Sequence, residues 1–300
     1  MRRQSVWLYF PQRMSSLTDY RSKVLITASE LSEQLKSSHP PVVLAVRNDS
    51  SASVDRFAGT ARIPGAQDID LQTHLASPQT PTSGTRPLPD VASLQGHAKR
   101  WGIHQNSHVV VYDHDRGLQA CRAWWVLRWA GLGQVRLLDG GFAAWQTLGL
   151  PLTTEMPSVT PGEVRLSAGH LPVLDADQAA QLARTGVLLD SRIKPNYIGG
   201  VTAPGQPARG HIPGAISAPA ADNLTDPGTF TDDDTLRQLY EGLGVSAQRT
   251  TGVYCGAGIS AAHVVLALQC IGVEAAMYPG SWSAWSSHVE RPVTRGFKPG

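Results

Sequence analysis

The chain has 300 residues, is 41% hydrophobic and 17% charged, and contains 29 Gly and 21 Pro, which suits about two packed domains and excludes a disordered or fibrous protein. A net charge of +2 excludes the broad basic field of a nucleic-acid binder, and no apolar run approaches the roughly 20 residues of a membrane helix. Three cysteines, Cys121, Cys255 and Cys270, are too few for a disulfide scaffold, so the expectation is a cytoplasmic protein in which one thiol does chemistry.

Residues 1–17 read as a tail. Arg2-Arg3 ahead of Val6-Trp7-Leu8-Tyr9-Phe10 hints at an export signal, but the run is short and Pro11 ends it. Short β-branched runs then alternate with helical patterns, predicting α/β organisation. Residues 42–46 read as a buried strand, followed by the turn Ile63-Pro64-Gly65-Ala66. Residues 109–112 form the next strand, and residues 120–130 a helix closed by Gly131 as a left-handed cap. After Asp139-Gly140-Gly141-Phe142-Ala143-Ala144-Trp145 comes a stretch, 152–170, with Pro157, Pro161 and Gly162, the composition of a surface linker.

The same signposts then return in the same order. Residues 187–190 read as a strand, Ile212-Pro213-Gly214-Ala215 repeats the turn, and residues 251–254 give another strand. Residues 260–271 form a helix closed by Gly272, and Pro279-Gly280-Ser281-Trp282-Ser283-Ala284-Trp285 repeats the glycine–tryptophan segment. Three of the pairs are offset by 140 to 149 residues. One shared Pro-Gly turn would mean little; ordered recurrence means two copies of one α/β domain. The expected division is a tail at 1–17, a first domain at 18–151, a linker at 152–170 and a second domain at 171–300. A cleft between two such copies is a natural ligand site.

The copies differ where a strand runs into a loop and then a helix. The first strand ends in Asp113; the second ends in Cys255, followed by Gly256-Ala257-Gly258-Ile259-Ser260-Ala261. Such a junction gathers unpaired backbone N–H groups at the positive end of a helix, and two glycines let the loop curl so that they converge. A thiol at that loop mouth is expected to ionise readily, with its anion held by the cradle. Cys121 and Cys270 sit inside helices among apolar neighbours and read as packing residues.

These residues resemble the rhodanese superfamily, and more closely its tandem-domain 3-mercaptopyruvate and thiosulfate sulfurtransferases. The resemblance spans residues 18–294. It rests on Arg62-Ile63-Pro64-Gly65-Ala66, Cys121-Arg122-Ala123-Trp124-Trp125, Asp139-Gly140-Gly141-Phe142, Asp190-Ser191-Arg192, Gly210-His211-Ile212-Pro213-Gly214-Ala215, the Cys255 loop and Gly280-Ser281-Trp282-Ser283-Ala284-Trp285. It implies two tandem rhodanese-like domains, each a central, mostly parallel sheet flanked by helices. The first is catalytically silent, with Asp113 at the cysteine position; in the second, Cys255 becomes a persulfide. The implied reaction moves sulfane sulfur from 3-mercaptopyruvate or thiosulfate through Cys255 to cyanide, a small thiol or a dithiol protein such as thioredoxin. It implies no metal or organic cofactor.

Thiosulfate users usually carry a cation just after the cysteine, and Gly256 and Ala257 offer none, so the resemblance favours mercaptopyruvate. Asp70 matches the acid of the family's proposed proton relay, whereas Ala257 and Arg86 stand where serine and histidine are usual. Of the two substrate arginines, Arg209 is retained and Asn196 replaces the other, giving Arg209, Asn196, Arg86 and Asp70 as the candidate donor pocket. Asp190 with Arg192 reads as a structural ion pair and His211 as a turn residue. His74 falls beside Asp70 but out of line with the relay, and the tryptophans read as packing. Two rival readings are a persulfide carrier or sulfur sensor that does not turn over, and a Cys-dependent phosphatase. The latter is opposed by Ala261 where a phosphate-clamping arginine would fall.

Overall fold

The computed structural model describes residues 19–47, 59–200 and 209–300; the expected tail and residues 201–208 of the Gly/Pro-rich stretch lie outside them. The first half folds as β1 (Leu25–Ile26), α1 (Ala28–Gln34), β2 (Val42–Arg47), β3 (Gln67–Asp70), α2 (Val91–Arg100), β4 (Val109–Tyr112), α3 (Leu118–Trp129), β5 (Val135–Leu138) and α4 (Gly141–Thr147). The second half folds as α5 (Ala176–Thr185), β6 (Val187–Asp190), α6 (Lys194–Ile198), β7 (Ile216–Ser217), α7 (Asp233–Gly242), β8 (Thr251–Tyr254), α8 (Ser260–Cys270), β9 (Ala275–Met277) and α9 (Ser281–Trp285).

Each half carries one all-parallel sheet, in the orders β1-β5-β4-β2-β3 and β7-β6-β8-β9. Four strands correspond one to one, and Val173, bridged in parallel to Met277, stands where β1 stands in the first sheet. The central strands β4, β6 and β8 are buried at every residue because helices cover both faces. Their sequences are therefore continuous apolar runs rather than alternating ones.

The recurring signposts have one physical explanation in both halves. The hydroxyl of Tyr112 at the end of β4 accepts the N–H of Ile63, and that of Tyr254 at the end of β8 accepts the N–H of Ile212, each at 3.1 Å. The two Ile-Pro-Gly turns place Gly65 at φ +81° and Gly214 at +87°, a conformation that favours glycine. The closing tryptophans repeat as well: Trp145 Nε1 donates to the Pro151 carbonyl and Trp285 Nε1 to that of Pro292. Gly131 and Gly272 end α3 and α8 at φ +99° and +79°.

The two halves share a core. Nine of the twelve residues of α3 are buried, as are nine of the eleven of α8. A helix apolar on every side must be covered on every side; these two pack against each other as well as against their own sheets, and one hydrophobic cluster runs through both halves. Cys121 and Cys270 lie in it, fully buried. The stretch 152–170 is laid along the first half: Thr153 pairs with Arg62, Gly162 N–H donates to Lys99, and His170 N–H to Trp129. Among the described residues no helix is long and apolar enough to cross a membrane.

Candidate active site

Four helices begin with side-chain caps, Thr27 on α1, Asp90 on α2, Asp175 on α5 and Asp232 on α7, whereas α3, α4, α6, α8 and α9 have none. No side chain of its N-cap residue caps α8. Its first turn therefore keeps N–H groups for something other than the fold. That helix opens directly after the Cys255 loop.

Cys255 follows the last residue of β8, and its sulfur accepts the N–H of Gly258 at 3.0 Å. The loop carbonyls are drawn the other way, since Trp282 N–H donates to Cys255 O at 2.8 Å and Ser283 N–H to Gly256 O at 2.9 Å. With these two carbonyls tied to α9, the loop turns the Gly258 amide toward the sulfur. Gly258 stands at φ +74°, and a Cβ there would meet the Pro279 carbonyl oxygen at 2.8 Å and Arg122 Nη1 at 2.9 Å. Ser191, after β6, ties the loop's far end by its hydroxyl to Ser260 Oγ at 3.0 Å.

The first half contains the same cradle already filled. Asp113 Oδ1 accepts the N–H groups of Asp115 and Gly117, each at 2.8 Å, and Oδ2 that of Ala120 at 2.7 Å. Burial pushes this carboxyl up from its ordinary range while the three donors oppose the shift. The first half thus holds a carboxyl group, met by three N–H donors, where the second half holds a thiol.

Two guanidinium groups from the first half reach the Cys255 region. Arg122 on α3 is fully buried and donates from Nη1 to Gly258 O and from Nη2 to the carbonyls of Leu75, Arg86 and Pro87. Burial pushes it down to about 10, opposed by attraction to Cys255. Arg86 is half-buried; burial lowers it, and attraction to Cys255 and to Asp70 opposes. The cation that the loop lacks is therefore supplied by the other half. Asp70 ends β3, buried, with Oδ1 accepting from the N–H and hydroxyl of Thr73.

The remaining candidates separate. Asn196 is exposed on α6 and lines a cleft of about 490 Å³ between the halves, together with Ser191, Arg192, Arg116 and Ser260. Arg209 is exposed, is not among the residues lining that cleft, and offers its carbonyl to Arg295. Ala261 lies buried in the first turn of α8. Arg192 forks onto Asp190, reaches Gly210 O at 2.6 Å and lies 4.5 Å over the Trp282 ring, so the pair fixes the loop before β7. His211 stacks on Tyr197, with Nδ1 2.9 Å from that residue's carbonyl, and His74 Nδ1 accepts the Asp70 N–H.

One expectation needs correction. Cys255 is not open at a loop mouth but 1% exposed, because Ser281 and the head of α9 close beneath it while half-buried Gly256 and Ala257 form the rim above. Sequence reasoning also missed Ser281 itself. Its backbone takes φ +54°, its hydroxyl accepts the Cys255 N–H at 3.1 Å, and its oxygen lies 3.8 Å from Sγ. The aligned residue of the first half is Gly141, at φ +58°. A serine holding a glycine's conformation only in the copy with the cysteine was a signal available in the sequence pair.

The Rhodanese-like domain family model matches residues 27–148 and 175–288. The chain belongs to the rhodanese family. Among rhodanese relatives, a putative thiosulfate sulfurtransferase, SseB, of Mycobacterium tuberculosis is 40% identical over 284 residues, covering 92% of this chain and 98% of its own. A probable 3-mercaptopyruvate sulfurtransferase of Pseudomonas aeruginosa is 38% identical over 287 residues, covering 92% and 99%. The rhodanese-fold crystal structure of SseA from Escherichia coli superposes with a TM-score of 0.73 at 28% identity, covering 86% of this chain and 98% of that one.

Proposed function

We propose that the protein is a sulfurtransferase in which Cys255 carries sulfane sulfur, as a persulfide, from 3-mercaptopyruvate to a thiol acceptor or cyanide. The observation that carries this reading is the Cys255 sulfur accepting the Gly258 N–H at the head of α8, in a loop whose duplicate gathers three N–H groups on the Asp113 carboxyl. The relatives named for sulfur transfer support the reaction class.

In the first step the Cys255 thiolate attacks the donor sulfur. The donor's C–S bond breaks with its electron pair going to carbon, the enolate of pyruvate takes a proton, and Cys255 is left as Cys–S–S⁻. An acceptor thiolate then attacks the outer sulfur, the S–S bond breaks, and Cys255 returns as thiolate; with cyanide the product is thiocyanate. Backbone N–H groups stabilise the sulfur anion without reorganising during the reaction. Thiosulfate would follow the same course with sulfite leaving.

Arg86 supports the monoanionic donor. Arg122 is engaged by four carbonyls, whereas Arg86 has no ion-pair partner among the described residues and a buried Nε without an acceptor. One available guanidinium near enough to be attracted by Cys255 suits one carboxylate. Thioredoxin-type dithiols belong to this proposal as acceptors, and three unpaired cysteines fit a reducing compartment such as the cytoplasm.

The test is mass spectrometry for one added sulfur on Cys255 after incubation with each donor. It is paired with steady-state turnover in the presence of cyanide or a dithiol, using wild type and Cys255→Ser. Mercaptopyruvate-dependent loading and turnover, both lost in the variant, are expected. Loading without turnover would replace the enzyme by a carrier, and loading that survives Cys255→Ser would overturn the assignment.

A further inference from the structure

At the far end of α3 and α8 from the Cys255 loop, a cavity of about 610 Å³ opens among the starts of β2, β4 and β5. Gln269, which lines it, lies nine residues along α8 from Ser260, roughly 14 Å at 1.5 Å per residue. It is a separate place from the sulfur site.

Its charge is one-sided. Lys23, Arg128 and Arg136 line it, with His39 and His108, and no carboxylate is among the lining residues. Each of the three permanent cations is oriented by a neutral group. Lys23 Nζ lies 5.4 Å over the Tyr20 ring, Arg128 Cζ lies 5.4 Å over the Trp124 ring, and Arg136 Nη2 donates to Gln34 Oε1 at 2.7 Å. Rings and an amide fix the heads in place without cancelling their charge. Asp19 attracts Lys23, and Glu30 attracts Arg136, but both carboxylates are exposed and neither lines the cavity. Nothing comparable reaches Arg128. It is half-buried with no hydrogen-bond acceptor or ion-pair partner among the described residues, and burial alone lowers it. Stacked on Trp124, its guanidinium keeps N–H donors that no group among the described residues occupies and that are not buried away from the cavity, so they are available to an anion.

We propose that this cavity binds an oligophosphate, free or as the tail of a nucleotide, with Arg128 as its central contact. Planar forks match phosphate oxygens in pairs, and three cations spread around one cavity suit two or more linked phosphates better than a single monoanion. The glutamines Gln34, Gln134 and Gln269 and the exposed Tyr20 ring surround them and offer amide and aromatic contacts to whatever the phosphates carry.

The experiment is isothermal titration of the full chain with pyrophosphate, triphosphate, ATP and sulfate at matched ionic strength. Each titration is run on wild type, Arg128→Gln and Arg128→Lys, with thermal unfolding and Cys255 sulfur loading measured on all three. Expected are one pyrophosphate per chain, at least roughly ten-fold weaker binding in Arg128→Gln, partial recovery in Arg128→Lys, and unchanged sulfur loading. Triphosphate and ATP binding alike would identify the phosphates as the whole ligand; tighter ATP binding would bring the nucleoside into the site. The proposal is overturned if pyrophosphate does not bind, if Arg128→Gln folds and binds as wild type does, or if sulfate binds as tightly as pyrophosphate. Because sulfur loading is read separately, failure here leaves the Cys255 assignment untouched.

Discussion

Two glycines lie within three residues of Cys255, and the cradle needs only one of them. At Gly258, φ is +74°, and an added Cβ would lie 2.8 Å from the Pro279 carbonyl oxygen and 2.9 Å from Arg122 Nη1. Neither neighbour gives easily: one is backbone, and the other is a buried guanidinium held by four carbonyls. Placing alanine in that conformation costs about 1–2 kcal/mol, and the overlap adds about 1–3 kcal/mol. At Gly256 an added Cβ meets nothing within 4 Å, so alanine there should change stability by about 0.5 kcal/mol or less. The strain at 258 is relieved most directly by swinging its N–H off the sulfur, which forfeits a charge-assisted hydrogen bond of about 1.5–3 kcal/mol, roughly 10- to 150-fold in rate. Gly258→Ala should therefore unfold at lower temperature and load sulfur at least ten-fold more slowly, while Gly256→Ala behaves as wild type. Mass spectrometry of persulfide formation over time, beside thermal unfolding, measures both. Equal loading rates in the two variants would refute the cradle as described.

Four further outcomes follow from the same geometry. Burial pushes Cys270 up to about 12 and Cys121 well above the ordinary thiol range, so iodoacetamide near neutral pH should leave both unmodified in the folded protein. Cys121→Ala and Cys270→Ala should lose stability but keep sulfur loading. Arg86→Ala should raise KM for mercaptopyruvate roughly ten-fold with kcat changed much less, and Arg86→Lys should recover part of the loss in steady-state assays. Burial pushes His263 down to about 3, against about 6.5 in the unfolded chain. Between those values the unfolded state takes a proton that the folded state refuses, so stability falls as pH drops through the window, by up to about 1.4 kcal/mol per pH unit from this group. His263→Gln should flatten the denaturant midpoint against pH below about 6.5.

The parts of the molecule legible in the sequence are those governed by local chemistry. Strands β4, β6 and β8 fall where the apolar runs end, because a strand covered on both faces has no polar residue to blur its limits. Helix α3 begins at Leu118, two residues before the sequence pattern suggests, since Gly117 in the left-handed region starts it without a polar cap. Long-range chemistry was less legible. Arg122 reads as an odd charge in an apolar helix, and nothing near it in sequence says that its partners are the carbonyls of residues 75, 86, 87 and 258. Arg86 of the first half was expected in the donor pocket, but the neutral Cys255 loop gave no sign that Arg122 joins it near the sulfur.

The duplicated loop also bears on what the Cys255 half is shaped to hold under the proposed reaction. Asp113 places two oxygens, each two bonds beyond Cβ, among three N–H donors. Cys255 places its sulfur one bond beyond Cβ and takes one N–H, that of Gly258. A persulfide on Cys255, as proposed, adds an atom at the second bond, the reach at which the aspartate oxygens sit, so the loaded second cradle would match the geometry of the first. Cys255→Asp should then mimic the loaded state: inactive, and about 1.5–3 kcal/mol more stable than Cys255→Ala, the range for hydrogen bonds to a charged group. Arg122 and Arg86 would favour the new carboxylate further. Urea unfolding of the two variants near pH 7 decides it. An aspartate variant less stable than the alanine one would mean that the second cradle is built around a single sulfur and that the likeness of the two loops stops at the backbone.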